Sequence, residues 1–521
     1  MKNPITRFTF RDNSLVCIIC FLLFIPVTLQ LSAQESLLLK HITLADTVCT
    51  IDTALKLIEK ETGLSFSYNS GLINRKKRVN LHAGNEDLIT VLRRTLDNPN
   101  LNFDIIGRHI VVYQAVKTLS ANPETQNDSV YFFEIRGRVF DKNDKQPLPY
   151  ANIFLAGTSI GTVTNDAGQF VLKLHSKYLY DTVSISCIGY KNHQERVASM
   201  AGSYRDYPLK PDAISIQEVI IRKISPISLL QSANASIPDN YPMEPAILTS
   251  FYRESVKRGN HFMMVSEAIL ENYKPGYRNA TNDQIKIVKG RKSEDLGLSD
   301  SVILKLKAGL NTMLLLDVIK NMPDFLTGMN VQDYNYNMSD IVVDNGRDNY
   351  VIEFSPRERS VSAYYSGRIL LDVRDLAFKW VEFYIDPEHL NLATSFFILR
   401  KPPDLRAKVL KASYKVSFRK SGSKYYLNLI ECETQYKFRN KKQVNGSVYG
   451  ISLEMAVTDI DTLNTGRFRF REVAKINEFF AEQVGTYDET FWGEYNFISP
   501  EESLEDALIK LTRAQEGKGE E

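Results

Sequence analysis

The chain has 521 residues, with 64 lysines and arginines against 62 aspartates and glutamates, and five cysteines. A formal net charge of +2 with both signs interspersed favours neither nucleic acid nor a polyanionic substrate. Cys17 and Cys20 lie inside an apolar run, and Cys49, Cys187 and Cys432 are odd in number and far apart, which argues against a disulfide framework and a thiolate metal site.

Lys2, Arg7 and Arg11 precede the apolar stretch Leu15 to Leu31, and Leu31-Ser32-Ala33 before Gln34 reads as a small-residue cleavage site. Residues 1–33 are therefore expected to be a signal peptide, and the mature chain to be exported, periplasmic or outer-membrane-associated; an uncleaved anchor is the other reading of the run. The remaining length suggests about three domains at roughly 100–200 residues each.

Residues 35–116 alternate helical and strand patterns. Leu55 and Ile58 share a helical face before Gly63, Ser65 to Tyr68 and Val79 to Leu81 read as strands, Leu88, Val91, Leu92 and Leu96 form a second apolar face, and Leu101 to Phe103 with Ile110 to Tyr113 closes a hairpin. This small α+β unit, with Thr53-Ala-Leu-Lys-Leu-Ile-Glu-Lys-Glu-Thr-Gly-Leu-Ser-Phe-Ser-Tyr68, resembles the secretin and TonB short N-terminal domain. The resemblance implies a periplasmic interaction module.

A polar linker is expected at 117–130, then an all-β unit over 131–222. Short strands at Glu134 to Phe140, Ala151 to Leu155, Gly168 to Leu174 and Thr182 to Ser186 have sandwich spacing, and Asn165-Asp-Ala-Gly168 is a tight turn in which glycine supplies a positive φ. Gly137-Arg-Val-Phe140, Pro147-Leu-Pro-Tyr-Ala-Asn152, that turn and Ile188-Gly-Tyr190 occur in order, and together they resemble the carboxypeptidase-like regulatory domain. The resemblance implies a transthyretin-like sandwich without peptidase chemistry. Beyond it, Ile216, Glu218, Val219, Ile220 and Ile221 form a β-prone segment that could add a strand to a partner sheet, and that resembles a TonB box; a final strand of the sandwich is the plainer reading.

Proline punctuates 223–245, read as a second linker able to hold one helix over Ile227 to Ile237. A β-rich domain is expected over 246–500, with a helix from Leu304 to Ile319 covering a broad sheet, and a helical or disordered polar tail over 501–521. Hairpins are expected at Asn345-Gly346, Arg374-Asp375 and Ser421-Gly422. The sketch is similar to the half-barrels of envelope lipoprotein carriers, whose aromatic and aliphatic lining would suit an apolar ligand, although a filled core explains the same residues.

No H-E-x-x-H, C-x-x-C or P-loop is present, and no catalytic, cofactor or metal residue is assigned. Gly157-Thr-Ser159-Ile-Gly161 matches a nucleophile elbow, but no helix pattern follows it, so Ser159 is read as part of a sandwich connection. His175 and His193 lack a third ligand, and Glu353 and Asp372 sit on the polar faces of strands.

In series, the sandwich, Asn240-Tyr-Pro242, Phe251-Tyr-Arg-Glu254 and Tyr365-Ser-Gly-Arg-Ile-Leu-Leu-Asp372 resemble carboxypeptidase-like regulatory-domain proteins of Bacteroidetes envelopes. This implies a multidomain, mainly β, non-enzymatic binding or scaffold protein of the periplasm and outer-membrane system, with envelope proteins, including TonB-system proteins, as partners. A truncated relative of TonB-dependent receptors is the alternative, and an exported hydrolase resting on Ser159 the third reading.

Overall fold

The computed structural model describes residues 40–508 except 69–72, 74, 99–100, 107–108, 115–131, 203, 213–224, 279–280, 295–304, 307–308, 330–331, 358–364, 391–397, 401–404, 441–445, 487–491, 502–503 and 505–507. The expected signal peptide over 1–33 and the segment Ile216, Glu218, Val219, Ile220 and Ile221 lie outside the described residues. The fold is mainly β, in two compact units divided at Ala115.

The first unit runs β1 (His41–Thr50), α1 (Ile51–Thr62), β2 (Ser65–Tyr68), β3 (Arg78–Asp87), α2 (Leu88–Leu96), β4 (Leu101–Ile106) and β5 (His109–Gln114). The Thr50 hydroxyl accepts the Thr53 N–H to start α1, and Gly63 ends it in the left-handed region. Helical spacing turns Ala54, Leu55 and Ile58 of α1 and Leu88, Val91 and Leu92 of α2 into one core with Leu81, Phe103, Ile110 and Val112. β1 pairs β3, and the three-stranded sheet has the order β2-β5-β4, with β2 parallel to β5.

The second unit begins with a two-sheet sandwich: β6 (Phe132–Asp141), β7 (Asn152–Leu155), β8 (Gly161–Val163), β9 (Gln169–His175), β10 (Thr182–Ser186), β11 (His193–Arg196) and β12 (Tyr204–Leu209), in the orders β11-β10-β7-β8 and β12-β6-β9. Alternation along β9 buries Phe170, Leu172 and Leu174 and leaves the residues between them half-buried. The predicted turn is present: Gly168 donates to the Asn165 carbonyl at 2.9 Å and has φ +74°.

The stretch read as a second linker able to hold one helix does hold one, and one face of that helix is buried. Ser225 caps α3 (Pro226–Ala235), whose Leu229, Leu230 and Ala233 are buried in the core of the large sheet, as is Tyr241 beyond it. The prolines mark helix starts: Pro226 occupies the first turn, where its missing N–H costs nothing.

The large sheet is built from β13 (Ala246–Arg258), β14 (His261–Lys274), β15 (Gln284–Glu294), β17 (Tyr334–Asp344), β18 (Arg347–Pro356), β19 (Tyr365–Asp372), β20 (Phe378–Ile385), β22 (Leu405–Ser421), β23 (Lys424–Asn440) and β24 (Ser447–Asp461); β16 (Lys305–Leu306) and β21 (Ile398–Arg400) pair separately. Its order is β17-β18-β19-β20-β22-β23-β24-β13-β14-β15, antiparallel throughout, with β25 (Gly485–Thr486) added in parallel to β15. Among the described residues β17 and β15 do not meet, so the sheet is open and is not a closed receptor barrel. The Asn345-Gly346 hairpin has φ +51° and +68°, the pair of positive values a type I′ turn needs. The expected Leu304 to Ile319 helix is short, α4 (Leu310–Leu315), because Gly309 at φ +85° breaks it before and an Asp317 turn, accepting the Ile319 N–H at 3.2 Å, breaks it after. On the inner face of the sheet, α3, α4 and Phe325 cover a continuous apolar layer.

Candidate functional site

Phe251-Tyr-Arg-Glu254 lies in mid-β13, between β24 and β14. Strand alternation sends Phe251 and Arg253 to the outer face and Tyr252 and Glu254 to the inner one. The two faces treat charge in opposite ways.

Outside, Arg253 Nε donates to Glu267 Oε1 at 2.8 Å, Nη1 to Glu454 Oε2 at 3.0 Å and Nη2 to the Ile498 carbonyl at 2.8 Å. Cross-strand register makes this possible, since both acids stand directly opposite Arg253 on the neighbouring strands. Arg291 on β15 completes the set, donating to Glu267 Oε2 from Nε at 2.9 Å and Nη2 at 2.8 Å, so two cations meet two anions. Burial alone would push the Glu267 carboxyl up, but Arg253 and Arg291 outweigh it and hold it below its ordinary value. The Arg253 guanidinium lies 4.9 Å from the Phe251 ring centre and that of Arg291 4.5 Å from Trp492.

This network seats a tail segment that sequence reasoning missed. Trp492 packs edge-on against Phe251 at 5.4 Å, and Asn496 imitates a strand on the sandwich: its Oδ1 accepts the Lys173 N–H at 2.6 Å while its Nδ2 donates to the Lys173 carbonyl at 3.2 Å, covering the free edge of β9. Thr162 and Asn165 donate side-chain hydrogen bonds to the Phe497 and Ser499 carbonyls at 3.0 and 3.1 Å. Tyr150 and Val163 of the sandwich, Phe251, Ile269, Leu429 and Ala456 of the sheet, and Trp492 and Ile498 of the tail share one buried cluster. Sandwich and sheet are thus one packed body. The aromatic run Trp492-Gly-Glu-Tyr-Asn-Phe497 was the available signal.

Inside, Glu254 is buried in apolar surroundings. Among the described residues its one side-chain hydrogen bond comes from the Tyr252 hydroxyl at 3.3 Å, and the Oγ of Ser266, directly opposite on β14, has no hydrogen-bond partner. Burial pushes the Glu254 carboxyl up to about 7, against a smaller opposing pull from Tyr252. The inner face, expected to suit an apolar ligand or to be a filled core, carries Tyr241, Leu310, Met313, Phe325 and Phe480 among its buried residues.

The other sequence candidates are scattered. Ser159 donates to Asp459 and to the Ile460 carbonyl at 3.3 Å, fastening the sandwich to β24. Glu353 is exposed opposite Arg368, whereas Asp372 is buried, accepting the Arg374 and Asp375 N–H groups at 2.9 Å and the Arg347 guanidinium at 2.7 Å. His175 accepts the Lys177 N–H at 3.0 Å and His193 faces Glu195 at 3.2 Å. Asn240 and Tyr241 bond the Asp375 and Phe378 carbonyls at 2.7 and 2.8 Å, so that motif fixes the β19–β20 turn.

The sandwich also has relatives by sequence. Residues 135–221 match the family model of the CarboxypepD_reg-like domain. No curated protein matches the chain. Solved structures similar to it include a DUF1329 family protein from Desulfovibrio piger (11% identity, 48% of this chain and 100% of that one, TM-score 0.20). A LolA superfamily protein from Nitrosomonas europaea shares 12% identity over 45% of this chain and 94% of that one (TM-score 0.16). A membrane-associated protein of unknown function from Bacteroides fragilis shares 8% over 64% and 99% (TM-score 0.13). No helix among the described residues is long and apolar enough to cross a membrane.

Proposed function

We propose that this protein is a non-enzymatic, exported binding protein of the cell envelope, in which the CarboxypepD_reg-like domain, the Trp492–Ile498 segment and the large sheet act as one rigid platform for protein partners. The observation that supports this reading is the mixed core around Phe251 and Arg253, which fixes the domain on the outer face of the sheet. A pre-formed platform loses less ordering entropy on binding than modules on tethers.

One end of the domain is suited to contact. Phe132 and Tyr180 are 39% and 44% exposed, and His175 is edge-on to Phe132 at 5.6 Å. Exposed aromatics are enriched at protein interfaces. Capture from envelope extracts with the whole mature chain, against a Phe132→Ser/Tyr180→Ser variant of unchanged melting temperature, is the test. Loss of a specific protein partner from the variant is expected; identical recoveries from both would overturn the proposed contact face.

A further inference from the structure

The charges of β22 and β23 change character along the hairpin. Near the sandwich, cations stand against anions: Lys415 lies opposite Glu431 and bonds it at 2.8 Å, and Lys411 pairs with Glu433. Towards the far end, Lys408 stands directly opposite Lys437 and Arg406 directly opposite Arg439. Ala407, Val409, Tyr436 and Phe438 alternate with them and turn to the core, so all four cations share the outer face, and all four are exposed. None of the four makes a side-chain hydrogen bond or ion pair among the described residues.

Like charges directly opposite on a sheet destabilise it. Edge protection is the ordinary reason to place lysine on a strand, and it accounts for part of this arrangement. Among the described residues β20 pairs with β22 only at Ser413–Ser417, which leaves the Arg406–Lys408 stretch an edge there. It does not account for Lys437, because β23 is paired on both sides there, Lys437 with Lys408 and Val448. Val448, in the same row, is 37% exposed. Residues two apart on a strand are spaced about 7 Å and strands about 5 Å, so the four cations form a flat grid beside an exposed valine.

We infer that this end of the β22–β23 hairpin docks on an anionic phospholipid bilayer, with Arg406, Lys408, Lys437 and Arg439 facing the lipid phosphates and Val448 at the headgroup boundary. A bilayer presents a continuous sheet of anions with no required register, which suits a grid of four exposed cations on one sheet face. The near-neutral total charge hides this local field, because acids elsewhere in the chain balance it.

Vesicle flotation of the whole mature chain tests the inference. Phosphatidylglycerol-containing vesicles should carry the protein, pure phosphatidylcholine vesicles should not, and binding should fall steeply with salt. Lys437→Glu/Arg439→Glu should lower binding tenfold or more while raising the melting temperature, since each new acid faces a cation across the hairpin. Should that variant fail to fold, Arg406→Gln/Lys408→Gln should still lower binding several-fold. Equal flotation with both vesicle types, unchanged binding in the variants, or retention on immobilised polyglutamate without vesicle binding would overturn it, the last outcome pointing to an acidic polypeptide.

Discussion

Arg253 and Glu254 are neighbours in sequence and both fully buried, yet the two faces of the sheet give them opposite fates. On the outer face Arg253 has three acceptors and its charge is matched within a hydrogen-bonded set. On the inner face Glu254 has, among the described residues, one hydroxyl for a partner, and burial drives its carboxyl towards the neutral form. The lesson is that depth of burial does not set the cost of an ionisable group; the partners brought to it do.

The largest effect is expected where the outer network is broken. Arg253→Met leaves Glu267 and Glu454 with fewer partners and frees the Ile498 carbonyl, and should destabilise the second unit by about 3–5 kcal/mol in denaturant unfolding. A loss below about 1 kcal/mol would show the network to be dispensable and the contrast between the faces to be overstated.

Glu254→Gln sharpens the same contrast through pH. A carboxyl raised from 4.5 to about 7 in the folded state contributes stability that is fully present below about pH 4.5 and is lost as pH rises through about 7. The wild-type protein should therefore lose up to about 3 kcal/mol across that window from this group, and the glutamine variant should lack that slope. Urea unfolding at pH 5 and pH 8 reads it directly; parallel curves for both proteins would mean that Glu254 stays ionised in the fold.

Gly168→Val probes the union of sandwich and sheet. A Cβ there would meet the Val139 carbonyl oxygen at 2.3 Å, and φ +74° is unfavourable for valine, so a loss of about 1–3 kcal/mol is expected. Because Tyr150 and Val163 belong to the mixed core, calorimetry should show sandwich and sheet melting in one lowered transition. Two separate transitions, with only one displaced, would restore the picture of independent modules.

Ser159→Ala should do least, about 0.5–1.5 kcal/mol from the lost bonds to Asp459 and Ile460, and should leave partner capture unchanged. A selective loss of capture at full stability would instead give Ser159 a functional role.

Sequence by itself determined the local elements, because their physics is local. Helical spacing at Leu55, Ile58, Leu88 and Leu92, the glycine-bearing turns at Gly168 and Gly346, and the alternation in β9 each depend on a few adjacent residues, and each is where the pattern put it. The order of turn and strand motifs from Gly137 to Tyr190 likewise identified the sandwich. At 223–245 the sequence allowed a helix but not its burial, since a proline in the first turn of a helix and one in a linker look alike until the apolar face of Leu229 and Leu230 finds a core.

Only the tertiary structure decided which charges are paired. Arg253 finds Glu454 across 201 positions of sequence, and Asn496 finds Lys173 across 323, so no local window contains both partners. The same holds for the row Arg406, Lys408, Lys437 and Arg439, which reads as ordinary surface charge until the hairpin register places like against like. Register is fixed by which apolar residues reach the core, here Ala407, Val409, Tyr436 and Phe438, and the charged face follows from that choice.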